Sequence, residues 1–348
     1  MSVIAVKKNP NPLTWFRTMW MTRPLFSTGV ALVVMIVLQT LALGFNYPTV
    51  GDWFVAWLQN WINILRNNAG IGIVALGMTF VIISGGIDLA VGSTLVAIGA
   101  VVMMLIDTGP KGILLGMGIA GLPAFVIAIL VAIVMGTLLG ELTGVLVTSG
   151  KLPPFIATLG TMKIFRSVTQ QFMQGYTPTV PREFLSIASF EIGGQLIMPI
   201  IYWLVLAVAL YIVSTRTTFG RQVIAVGSNE RATRLSGVNV HTIKRRVYAL
   251  MSLLAGVAAV VQVARIGSMD VANAGSGLEM DAISAVIVGG TSMAGGRGTI
   301  LGTVLGALII AVMNNLLNLL GVPPFLREAF KGVIVIGAVL LQKKDSGA

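Results

Sequence analysis

Cysteine is absent and histidine occurs once, as His241. Disulfides, thiolate metal sites and imidazole-rich metal clusters are thereby excluded. Charge is scarce as well: Asp, Glu, Lys and Arg make up 10% of the 348 residues, where a soluble domain carries about 25%. Acids are the scarcest, 12 against 23 Lys plus Arg, for a formal net charge of +11. Catalytic constellations are missing too. A single loop histidine offers no Ser-His-Asp arrangement, no pair of aspartates lies inside apolar runs, and Gly150-Lys151 leads into Leu152, not into the hydroxyl residue a P-loop needs. What is abundant is apolar, at 56%. At ~20 residues per membrane-spanning helix the length admits about ten to twelve spans and little else. The basic surplus lies between apolar runs, which fits the positive-inside bias better than a nucleic-acid face.

Apolar runs occur at about 25–45, 69–84, 89–106, 112–134, 155–173, 196–214, 247–264, 282–296, 299–320 and 325–342. The expected fold is all-α and polytopic, a single transmembrane domain over 1–348 with about ten helices, several of them broken or re-entrant. Between the sixth and seventh runs, residues 215–246 carry Arg216, Arg221, Arg231, Arg234, Lys244, Arg245 and Arg246 against Glu230 alone, which marks a cytoplasmic loop. An even number of spans on either side places both termini on that face. Lys7, Lys8, Arg17 and Arg23 in the cytoplasmic segment 1–24, and Lys343 and Lys344, agree. Ala42 to Gly44 is a poor cleavage site, so the first span is read as retained. Trp53, Trp57 and Trp61, spaced by four, read as an interfacial helix, with an aromatic clamp on a sugar ring as the functional alternative.

The two halves repeat each other weakly. SGGIDLAVGS (84–93) aligns with VGGTSMAGGR (288–297), pairing Gly85 with Gly289, Gly86 with Gly290 and Asp88 with Ser292. A glycine row spaced by four and a Pro-Pro-Phe follow each copy: Gly136, Gly140, Gly144 and Pro153 to Phe155, then Gly298, Gly302, Gly306 and Pro323 to Phe325. Such rows let helix backbones approach closely in lipid. Solute-moving membrane proteins are often built from repeats, with the path near interrupted helices. Gly85, Gly86, Asp88, Ser93, Thr291 and Ser292 are therefore substrate-pathway candidates. Asp88 reads equally as a helix cap. Asn314 and Asn318 share a helix face and serve either a polyhydroxylated solute or a neighbouring helix. Lys163, Arg166, Arg327, Glu328 and Lys331 are expected to snorkel or pair.

The segment Thr217 to Val240, TTFGRQVIAVGSNERATRLSGVNV, resembles the cytoplasmic signature of the ribose-type permease family of ATP-binding-cassette importers. SGGIDLAVGS, LEMDAISAVIVGGTSMAGGRGTILGT (278–303) and NNLLNLLGV (314–322) resemble that family's other motifs, so the likeness covers about 60–342 and omits the Trp-bearing segment. It implies a multi-pass subunit of the bacterial inner membrane that translocates a monosaccharide, polyol or sugar-like solute. Partners would be a second permease, identical or paralogous, two ATP-binding subunits holding ATP and Mg, and a periplasmic sugar-binding protein. No cofactor is expected in this chain, and nucleic acid is no partner. A short helix near Ser228 to Ser236, bounded by Gly227 and Gly237, would seat in the ATPase through Asn229, Glu230, Ala232, Thr233 and Leu235. Competing readings are an importer permease for branched-chain amino acids, nucleosides or autoinducer-2, and an ion-coupled secondary transporter using Asp88.

Overall fold

The computed structural model describes residues 24–189, 195–323 and 326–333, with Met19, Glu191, Ile192 and Ile336 besides. The N-terminal basic residues, Lys343 and Lys344, and Pro324 and Phe325 lie outside the described residues. Among those described, strand is confined to Glu191–Ile192 paired with Gln195–Leu196. Everything else of regular structure is helical. The longer helices are α1 (Pro24–Leu43), α2 (Val50–Ile83) and α3 (Val91–Ile106), then, after the one-turn α4 (Ile113–Gly116), α5 (Leu122–Thr148) and α6 (Pro154–Met173). After the one-turn α7 (Arg182–Leu185) come α8 (Met198–Arg216), α9 (Thr218–Ser228), α10 (Glu230–Leu235), α11 (Val240–Ile266), α12 (Leu278–Val288) and α13 (Ile300–Leu319). Residues 326–333 are helical too.

Six of the ten apolar runs become helices long and apolar enough to cross a membrane: α1, α2, α5, α8, α11 and α13. The other four differ in kind. Run 89–106 is the 16-residue α3, and run 282–296 is the 11-residue α12 followed by a break at 289–299. Run 155–173 is the 20-residue α6, long enough but too polar to qualify. Only part of run 325–342 is described. The Trp segment is no separate helix, because α2 runs unbroken for 34 residues through it. Its indoles brace α1: Trp53 Nε1 donates to the Gly44 carbonyl at 3.0 Å and Trp57 Nε1 to Thr40 Oγ1 at 3.1 Å.

Local sequence sets the ends. Proline stands in the first turn of α5, α6 and α8, where its missing N–H costs nothing. Thr49, Thr217, Asn229, Asn239 and Thr299 each cap the helix that follows, accepting a backbone N–H three residues on. The core gathers around α11, which packs on α2, α3 and α5. Both glycine rows serve close approach. A Cβ on Gly136, Gly140 or Gly144 would collide with the α11 backbone at Ser252, Tyr248 and Arg245. One on Gly302 or Gly306 would strike the carbonyls of Gly289, just past α12, and Ala285 within it.

The weak repeat has a structural counterpart, shifted by one residue. α2 ends with Gly85 at φ +81°, its N–H bonded to the Ile82 carbonyl and that of Gly86 to Val81. α12 ends with Gly290 at φ +88°, its N–H bonded to Ile287 and that of Thr291 to Val286. Both are the same left-handed helix stop. Gly85 therefore corresponds to Gly290 and not to Gly289. The left-handed position needs a glycine, but a glycine pair leaves open which of the two takes it.

Candidate functional site

The two breaks, 84–90 and 289–299, meet the end of α9 at the side of the molecule that carries the basic loop. The Gly296 N–H bonds to the Ile83 carbonyl, the last residue of α2, at 2.8 Å. A Cβ on Gly227 would run into that same carbonyl and into the Gly296 nitrogen. Three chain segments thus cross at backbone contact, and Phe80 stacks on Phe219 of α9 at 6.0 Å between ring centroids. Gly85, Gly86, Thr291 and Ser292 belong to this crossing. Gly86 lies against the Tyr248 hydroxyl. Asp88 is 1% exposed and its Oδ1 accepts the Ala90 N–H at 2.8 Å, so it caps the turn into α3. Ser93, in the first turn of α3, is buried.

Asn314 and Asn318 are not brought to this crossing. They lie at the opposite end of α13, where Asn318 accepts from Arg327 Nη2 at 2.9 Å and Asn315 exchanges amide bonds with Asn60. Lys331 pairs with Asp281 at 2.9 Å and with Glu328 at 2.8 Å, tying helix 326–333 to the first turn of α12.

α10 is the short helix expected near 228–236, and its residues divide by direction. Leu235 is 89% exposed, with Ala232 and Asn229 also in the open. Thr233 points inward, donating to the Ala225 and Asn229 carbonyls at 2.8 Å. Glu230 is held within the chain by Lys244 Nζ at 2.7 Å and Arg234 at 3.0 Å. The Lys244 hydrogen bond keeps its carboxyl below the usual carboxylate range. Thr233 and Glu230, expected as contact residues, fasten α10 to α9 and α11. Gly237, at φ +84°, lets the chain turn away.

The second half also holds a segment that composition did not reveal. After α11, residues 268–277 fold back along α3, with Met269 against Gly99 and Gly275 against Gly92. Arg166 of α6 secures it, donating from Nη1 to the Ala274 carbonyl at 2.6 Å and to Val271 at 3.2 Å. Where this segment begins, a cavity of about 600 Å³ opens, lined by Ser167, Gln170 and Gln171 of α6, by Gln174 and Tyr176 just after it and by Asp270. Asp107 fastens its rim from behind, accepting from the Tyr176 hydroxyl at 2.6 Å and the Thr179 N–H at 2.7 Å. None of these residues stood among the pathway candidates. Their signal was the run of glutamines in a segment otherwise long enough to span.

Among known proteins, the family described as branched-chain amino acid transport system / permease component matches residues 60–339. The ribose import permease protein of Bacillus subtilis (strain 168) is 42% identical over 289 residues, 82% of this chain and 85% of its own. That of Escherichia coli (strain K12) is 39% identical over 321 residues, 90% and 92% of the two chains. The galactofuranose transporter permease protein of the same strain is 36% identical over 285 residues, 81% and 79%. No solved structure matches the chain significantly. With the crossing of broken helices, the capped α10 and these likenesses together, the chain belongs to this family of transport-system permease components.

Proposed function

We propose that this integral membrane protein is the permease subunit of an ATP-binding-cassette importer for a monosaccharide or a related polyol. It is a transport component and not an enzyme, so ATP and Mg belong to a separate ATPase. The observation that carries the reading is the crossing itself: α9 touches the last carbonyl of α2 and the 289–299 break, while α10 beside it presents Leu235 to the outside. A push on α10 reaches both helix breaks through backbone contact alone. Sugar names among the relatives support the solute class.

In this reading the basic end faces the cytoplasm of the bacterial inner membrane, with both termini on that side, and the 600 Å³ cavity opens to the periplasm. Two permease chains, two ATPases and a periplasmic sugar-binding protein make the assembly. Asp88, Ser93 and Thr291 lie beside the crossing, where they hold its shape as solute passes. Purification of the tagged chain from native membranes in mild detergent tests the assembly, and a Walker-motif ATPase at one per permease is expected. Leu235→Asp is expected to leave the chain in the membrane, release that ATPase and abolish ATP-driven sugar uptake. Undiminished uptake with Leu235→Asp would remove α10 from the coupling path.

A further inference from the structure

α6 is a helix long enough to span a membrane whose exposed surface is divided between an apolar row, Ile164, Val168 and Phe172, and a polar one. Its 20 residues measure about 30 Å at 1.5 Å per residue. One face is buried against the rest of the molecule by Ala157, Thr158, Thr161, Phe165, Thr169 and Met173. At 3.6 residues per turn, Lys163, Ser167 and Gln170 fall in a narrow row on the opposite face, and these three, with Gln174 just past the helix end, are exposed. Glutamines and an ammonium group directed at hydrocarbon are unfavourable, so this row needs water or protein before it. Its outer half already opens on the 600 Å³ cavity. Toward the basic end the same face turns apolar, with Leu159 and Ile156 exposed. Lys163 stands midway along the helix at that change, with no ion pair among the described residues.

We infer that the exposed row of α6 lines the water-filled transport route, and that Lys163 is its barrier against cations. Amide and hydroxyl groups trade hydrogen bonds with a polyhydroxylated neutral solute, whereas a fixed ammonium repels protons and metal cations in a narrow wet passage. An importer whose route opens in turn to both sides gains from such a group, because a leak would dissipate the membrane potential. The inference rests on the transport reading for the route's purpose, but its test needs no solute.

The chain has no cysteine, so single-cysteine variants report one site each. In native membrane vesicles, Lys163→Cys and Gln170→Cys are expected to react with a membrane-impermeant thiol reagent on the order of tenfold faster than Val134→Cys on α5, because hydrocarbon holds neither thiolate nor reagent. Equal reactivity at all three sites would overturn the wet row. Proteoliposomes of the whole assembly, loaded with a pH-sensitive dye, then test the barrier. Lys163→Gln is expected to raise proton entry several-fold during ATP turnover, with Lys163→Arg at the unmodified level. A Lys163→Gln assembly as tight as the unmodified one would overturn the barrier. Sugar uptake failing while the thiol of the Lys163→Cys variant still reacts would count against the proposed solute and leave the row intact.

Discussion

α5 and α6 follow one another in the chain and touch, yet they meet opposite surroundings. α5 exposes Val126, Leu130, Val134, Leu138 and Leu142, one apolar residue per turn, and turns its glycines to α11. α6 turns threonines inward and, beside an exposed apolar row of Ile164, Val168 and Phe172, leaves a lysine and glutamines outside. The pair teaches that in a membrane protein the exposed face records its solvent. A row of leucines marks lipid, and a row of amides marks water, whatever the helix length.

The largest break in this contrast is expected at the glycines. Gly140→Leu drives a side chain into the Tyr248 carbonyl of α11 and should destabilise the fold by roughly 3 kcal/mol or more. Thermal unfolding and the yield of monodisperse protein in detergent read it out. Gly160→Leu on α6, where nothing lies within reach of a Cβ, should leave both unchanged. A comparable loss at Gly160 would mean that this face of α6 is packed after all.

Charge exchange gives the next effect. Val134→Lys places an ammonium on the lipid row of α5 and should cost roughly 2.5–3.5 kcal/mol, seen as reduced membrane insertion. Lys163→Leu on α6 should insert and unfold as the unmodified chain does. An equal response of the two helices would erase the distinction between their surroundings.

The smallest effect concerns the outer end of α6. Burial works against the Asp107 charge, but hydrogen bonds from Tyr176, Gly109 and Thr179 hold its carboxyl below the ordinary value of 3.8. A carboxyl depressed by folding contributes stability above its unfolded value and loses it as pH falls through the folded one. The rim should therefore stay fastened across about pH 5 to 8 and loosen only in stronger acid. Asp107→Asn should weaken it by about 1 kcal/mol, visible as faster amide exchange at 174–180. Unchanged exchange there would mean that the rim does not depend on this carboxylate.

Local features were legible because they depend on neighbours in sequence. Asn229 caps α10, Gly237 ends it, and the glycine pairs stop α2 and α12, all within a turn of the residues responsible. Composition alone established a helical, membrane-embedded chain, because a long apolar run has no other stable setting. Run length did not say whether a run was one helix. Run 282–296 holds a stop at Gly290, and 69–84 is the end of a helix that begins at Val50.

Direction was decided in three dimensions. Thr233 and Leu235 sit two residues apart on one helix, and only the packing of α10 on α9 and α11 turns the first inward and leaves the second bare. The repeat indicated that both glycine breaks mattered. Backbone contact at Ile83, Gly227 and Gly296 made them one place, since an approach of that kind depends on Gly227 and Gly296 lacking a side chain where they meet the Ile83 carbonyl. The glutamines of α6 were visible as residues from the start. Whether they faced a partner helix or open space depended on where α3, α5 and the 268–277 segment came to rest, because burial belongs to the assembled surface and not to the residue.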